Sequence, residues 1–319
     1  MLYERPSPVP LPEGTGFRIL FAAAAIMRSF GALLAMISAA VLAELTLLDA
    51  LPTLPIPRET SAALLRAVPE LLFFLLVTWL LLRLDQKAKF LDLGLHWNVE
   101  AVKDVLVFGA LGALALALLV LPLVWAGGGV FRFSEQRVQN WELFTVCTAL
   151  LFVGSMAEEI LLRGYAFQTL VKPLHLLGAL IFANGIFAGL HLANPGANEY
   201  SIANTFLAGC VLGLLVVVRR SLWPAVGAHF GWNLMTPLVG VKLSGMSLPL
   251  TGAVVEWKWD ALWTGGNYGP EAGVPCLVLL LGLLFWLVRL FYQQQETAPP
   301  TIPLPPASGP SEELPEEPR

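Results

Sequence analysis

The chain has 319 residues, of which 56% are hydrophobic and only 13% charged, roughly half the charged share of ordinary soluble domains. With a mean hydropathy of +0.70, this excludes a soluble globular domain, because a bundle immersed in lipid needs no polar surface to match its core. The formal charge is −4, and five Glu against one Arg in the last 27 residues leave the remainder balanced at 18 acidic and 18 basic groups, so no basic excess exists for nucleic acid.

In chain order, residues 1–16 are polar and Pro-rich, without the apolar core and cleavage site of a secretory signal. Eight apolar segments near bilayer-crossing length follow: Ile19–Leu48, Ala62–Leu84, Val102–Trp125, Trp141 to beyond Leu162, Leu174–Leu192, Ile202–Val218, Leu222–Val241 and Val274–Tyr292. The fold class is therefore all-α, a polytopic membrane helical bundle of about eight transmembrane helices. It divides into N-terminal helices over 17–140, a core over 141–241, an outer loop with the last helix over 242–292, and a Pro/Glu-rich tail over 293–319. That tail is too polar to pack and is expected to be disordered.

Cys147, Cys210 and Cys276 each lie inside an apolar run, far apart, and read as small buried hydrophobes rather than as a disulfide framework or a cysteine zinc site. Lys and Arg number twelve on one set of alternate connections and six on the other. This asymmetry favours a multi-pass protein of the cell membrane with both termini in the cytoplasm. The 242–273 connection then lies outside, where Trp257, Trp259 and Trp263 suit the membrane interface.

Ionisable groups inside spans are costly and ask for a reason. Glu158, Glu159 and Arg163 fall in the fourth span, His191 in the fifth, and His229 with Asn233 in the seventh; Glu44 and Glu70 sit nearer span ends. Neighbouring helical residues point about 100° apart, so Glu158 and Glu159 cannot share one task. Arg163 follows Glu159 by four, the favourable order for a helical ion pair, which leaves Glu158 unpaired. A charge cluster at a helix end is an equally good reading of these residues alone, and a single membrane histidine is more often a packing residue than a catalyst. Together, a free carboxylate, two imidazoles and a carboxamide on three helices are the parts that activate water and hold an oxyanion. With a turn at Lys172–Pro173, Glu158 and His191 stand about 21 and 27 Å above it, and His229 about 12 Å above its own turn. The heights agree only if the hairpin of spans four and five projects into the cytoplasm by about 10 Å.

EEILLR at 158–163, FAGLH at 187–191 and HFGWN at 229–233 resemble, in order, the EExxxR, FxxxH and HxxxN motifs of CPBP intramembrane proteases. This is the CAAX protease or Abi family, related to type II CAAX prenyl endopeptidases. The resemblance spans Trp141 to about Val241. It implies that Glu158 and His191 activate a hydrolytic water, that His229 and Asn233 stabilise the oxyanion, and that Glu159, Arg163 and Phe187 support them. It implies a peptide or protein substrate held at a lipid bilayer. Glu158, His191 and His229 are candidate ligands for a divalent metal such as zinc, while a metal-free glutamate mechanism uses the same residues. Two other readings stay open: a non-proteolytic membrane scaffold or bacteriocin-immunity-type protein, and an ion-coupled transporter with Glu158 and the histidines as proton relay.

Overall fold

The computed structural model describes residues 54–84, 89–134 and 141–297, with isolated helical positions between 23 and 38. The expected first span, apart from those positions, lies outside the described residues, as do Glu44, residues 1–16 and the tail beyond 297. Among the described residues, seven long helices form a membrane bundle: α1 (Arg58–Leu84), α2 (Val99–Leu123), α3 (Trp141–Arg163), α4 (Tyr165–Leu190), α5 (Glu199–Arg219), α6 (Trp223–Leu238) and α7 (Val274–Thr297).

Five helical runs among the described residues are long and apolar enough to cross a membrane, the longest, Trp141–Ala193, comprising both α3 and α4. The 16-residue α6 is shorter than the expected seventh span and rises only about 24 Å, less than the hydrocarbon thickness. It is embedded in other helices instead. The bundle is inverted relative to a soluble protein. Leu72, Leu76 and Leu80 form an exposed stripe on α1, and Val278, Leu281 and Phe285 one on α7, whereas Ser155, Gln168, Asn184 and Asn204 are buried. An apolar exterior with its polar groups turned inward is what lipid as solvent selects.

Local chemistry sets the helix ends. Asn98 caps α2 by accepting from Ala101 N at 2.9 Å, and Asn198 and Ser201 exchange side-chain-to-backbone bonds at the start of α5, satisfying N–H groups that lack a partner in the first turn. α7 continues five residues past Tyr292, through the start of the expected tail. The QQQET segment is made largely of good helix formers.

The α3–α4 connection departs from the simple hairpin expected at Lys172–Pro173. The chain breaks first at Gly164, where a Cβ would lie 2.2 Å from the Ile160 carbonyl oxygen, and again at His175, which has φ 58°. The intervening helical segment does not project into solvent. Tyr165, Phe167, Gln168 and Leu170 are buried, and Gln168 Nε2 donates to the Leu93 carbonyl at 3.0 Å. Its apolar face had partners available, the Leu82–Leu93–Leu222 cluster among them, so burial won over extension into water.

α2 unwinds at Gly127 (φ 90°) into strand β1 (Gly129–Phe133), which pairs antiparallel with β2 (Ala253–Trp257) from the 242–273 segment. This ribbon has no counterpart in the expected elements. Trp257 lies within it, while Trp259 and Trp263 are about half exposed beside it with their rings edge to face at 6.3 Å.

Candidate active site

α3 ends in the sequence Glu158–Arg163, and its last turn carries the charge. Arg163 Nη1 donates to Glu159 Oε1 at 2.9 Å, both side chains being essentially inaccessible at 1% and 0% exposure. A buried guanidinium needs every donor it can place. Nη2 donates to Asn184 Oδ1 on α4 at 3.0 Å, and the Phe187 ring lies over the guanidinium with its centroid at 4.8 Å, a cation–π contact. Asn184 in turn donates to the Leu180 carbonyl at 2.9 Å. Replacing Asn184 with Ala is expected to lower the thermal stability of the detergent-solubilised protein by about 1–3 kcal/mol, since it leaves a buried charged donor unpaired; an unchanged melting temperature would contradict this account.

Glu159 has a second partner. His229 on α6 is bonded through Nδ1 to Glu159 Oε1 at 2.9 Å, so one carboxylate oxygen joins α3 to α6 while Arg163 joins α3 to α4. A carboxylate without a proton can only accept, so Nδ1 carries the hydrogen and Nε2 is directed elsewhere. That nitrogen lies 3.7 Å from Glu158 Oε2, an oxygen with no hydrogen-bond partner. Glu158 and Glu159 thus approach the same imidazole from different sides, Glu159 fully buried and Glu158 40% exposed.

His191 caps the C-terminus of α4, its Nδ1 2.8 Å from the Phe187 carbonyl. A helix-end carbonyl lacks its usual donor, and because it can only accept, Nδ1–H is the donor and Nε2 keeps a free lone pair. The Phe187 ring stands edge to face with both imidazoles, at 4.6 Å from His191 and 6.3 Å from His229. It therefore packs between the two histidines and beneath the arginine. Asn233, one turn beyond His229, donates through Nδ2 to Ser155 Oγ on α3 at 3.2 Å.

Phe187, His191, His229 and Asn233 line a cavity of about 340 Å³, in the range of small-ligand sites, whose remaining walls are mostly apolar side chains of α2, α5 and α7. Glu158, Glu159 and Arg163 are not among its lining residues; they stand behind it, Glu158 touching it through His229. Among the described residues, no three His, Cys, Asp or Glu side chains converge as a metal-binding group. Glu158, His191 and His229 therefore do not form a ready three-ligand metal site in this arrangement.

A search for ionisable groups in spans overlooks Ser155 and Asn184, which are polar but neutral. Their signal was spacing: Ser155 lies three residues before Glu158 and Asn184 three before Phe187, each on the same helix face. Glu271 also lines the cavity, from the connection before α7, and had no span to make it conspicuous.

Two imidazoles and a carboxamide thus line one cavity, with the Glu158 carboxylate behind one of the imidazoles. Residues 140–235 match the family model described as Type II CAAX prenyl endopeptidase Rce1-like. The match covers 96 of the 319 residues. No curated protein and no solved structure matches the chain.

Proposed function

We propose that the protein is an intramembrane endopeptidase that hydrolyses a peptide bond in a membrane-associated protein or peptide, with both termini in the cytoplasm. The observation that carries this reading is that His191, His229 and Asn233 line one cavity with Glu158 behind it, 3.7 Å from His229, within the segment that matches a protease family. Glu158, whose Oε2 has no hydrogen-bond partner, accepts a proton from water, with the His191 Nε2 lone pair holding that water. The hydroxide adds to the substrate carbonyl. The oxyanion so formed is met by Asn233 Nδ2, which has a second hydrogen beyond the one given to Ser155, and by His229 Nε2 when protonated. Donors positioned in advance for developing charge, where water is excluded, are worth several kcal/mol. Glu159 fixes the His229 ring and Arg163 fixes Glu159, so both act as positioning residues. Glu158, passing its proton to the leaving amine, completes the cycle.

The test uses purified protein in liposomes with an internally quenched peptide bearing a membrane anchor. Glu158→Gln keeps the shape of the side chain and removes the base, and is expected to lower the cleavage rate by about 10²–10⁴-fold with little change in melting temperature. A variant cleaving at the wild-type rate would dispose of the mechanism.

A further inference from the structure

The cavity has a second polar end. About one helical turn from His229 on α6, Trp232 donates its indole N–H to Glu271 Oε1 at 2.8 Å. The other carboxylate oxygen, Oε2, accepts from Ser244 N at 2.6 Å and Ser244 Oγ at 3.0 Å. Asn204 on α5 buttresses the same corner. Its Nδ2 donates to the Glu271 and Gly273 carbonyls at 2.7 and 3.0 Å, and since carbonyls only accept, the amide orientation is unambiguous. Asn204 is 98% buried and its Oδ1 has no partner. Trp232, Asn204, Ser244 and Glu271 all line the cavity that His191, His229 and Asn233 also line.

Three donors hold the Glu271 carboxylate in place, and none of them is a cation. A carboxylate offers about four acceptor positions, so one remains, and among the described residues no Lys or Arg lies within ion-pair distance of it. An anionic group in a largely apolar cavity without a counter-charge attracts a cation more strongly than the same group in water. In the loop outside the spans, burial, and secondarily the Glu271 charge, push the phenol of the neighbouring Tyr268 up to about 12.

We propose that the Glu271 end of the cavity is a binding subsite for a cationic, N–H-donating group, an ammonium or guanidinium carried by the substrate. This rests on the endopeptidase reading for its biological meaning and adds the substrate's chemistry to it. One helical turn separates Trp232 from His229, about 5 Å along the axis, which on an extended chain corresponds to one or two residues. The preferred substrate therefore carries Lys, Arg or a free amine within about two residues of the cleaved bond, next to apolar side chains that fill the α2, α5 and α7 walls. A carboxylate at that position meets like charge and is rejected.

Two arms test this. In the first, the melting temperature of the purified full chain in neutral detergent is measured with n-octylammonium, n-octanol and n-octanoate, which share an apolar body and differ in head group. The ammonium is expected to stabilise the wild type beyond the alcohol, the octanoate not to, and the ammonium advantage to vanish in Glu271→Gln. Equal shifts for the three in the wild type overturn the subsite whether or not that variant folds. In the second, liposome cleavage is compared for peptides with Lys, Gln or Glu placed at each position within three residues of the cut. Lys is expected to be preferred over Glu by about ten- to a hundredfold at one position, the scale of a hydrogen bond to a charged group, and the preference to collapse in Glu271→Gln. Cleavage indifferent to the three residues also overturns the subsite and leaves the peptidase reading standing. An ammonium-specific shift without cleavage of any peptide supports the subsite and counts against the peptidase reading.

Discussion

Glu159→Met is expected to destabilise the protein by about 3–5 kcal/mol and to abolish cleavage. The size follows from what remains behind. Arg163, 1% exposed, loses its 2.9 Å partner and keeps only Asn184 and the face of Phe187, and an uncompensated buried charge costs about this much. The same change frees His229 Nδ1, so the ring loses both its orientation and the partner that determines which nitrogen carries the proton. The two consequences are separable. In Glu159→Met/Arg163→Met the charge is removed together with its partner, and apolar replacement of a whole buried pair is often neutral or stabilising. The double variant should therefore regain most of the lost stability, seen as recovery of the melting temperature, and still fail to cleave. Recovery of activity alongside stability would show that Glu159 serves the fold alone and has no part in orienting His229.

The second large effect concerns backbone. α6 carries His229 and Asn233, and it reaches its position because glycines let it touch α2. A Cβ on Gly231 would lie 1.9 Å from the Gly109 carbonyl oxygen, one on Gly112 2.1 Å from the Ala228 oxygen, and one on Gly227 2.7 Å from the Val105 oxygen. In each case the obstacle is main chain, which cannot rotate aside. Close approach through small residues is the usual means of packing helices in lipid, where no hydrophobic drive brings them together. Gly231→Ala should force α2 and α6 apart, costing about 1–3 kcal/mol or more. It should also reduce cleavage by more than that loss of stability explains, since a displacement of about 1 Å at a catalytic group costs on the order of a hundredfold. Gly185→Ala is the control: nothing lies within 4 Å of its Cβ position, and Ala is the better helix former by about 1 kcal/mol. If both substitutions behave alike in melting and cleavage assays, the glycine contact is not what sets the position of α6.

The class of the molecule was legible in its amino-acid order because lipid imposes a simple rule. Long apolar runs must be helices, and charges within them must have partners. The i,i+4 spacings of Glu159 with Arg163, Phe187 with His191 and His229 with Asn233 determine which side chains share a face, since 3.6 residues make a turn whatever surrounds the helix. Which faces meet is another matter. That Glu159 serves Arg163 and His229 at once, that Asn184 completes the arginine's bonds, and that Phe187 stands between two imidazoles depend on three helices arriving at one depth. The hairpin expected at Lys172–Pro173 and the two breaks found at Gly164 and His175 differ for the same reason. A polar-looking connection was free to extend into water, and apolar neighbours from distant segments made burial more favourable. Glu271 shows the limit most clearly. In sequence it is one acid in a loop, and only the fold brings it to the cavity, because a contact between residues 39 apart, Trp232 and Glu271, is set by packing and not by any local periodicity.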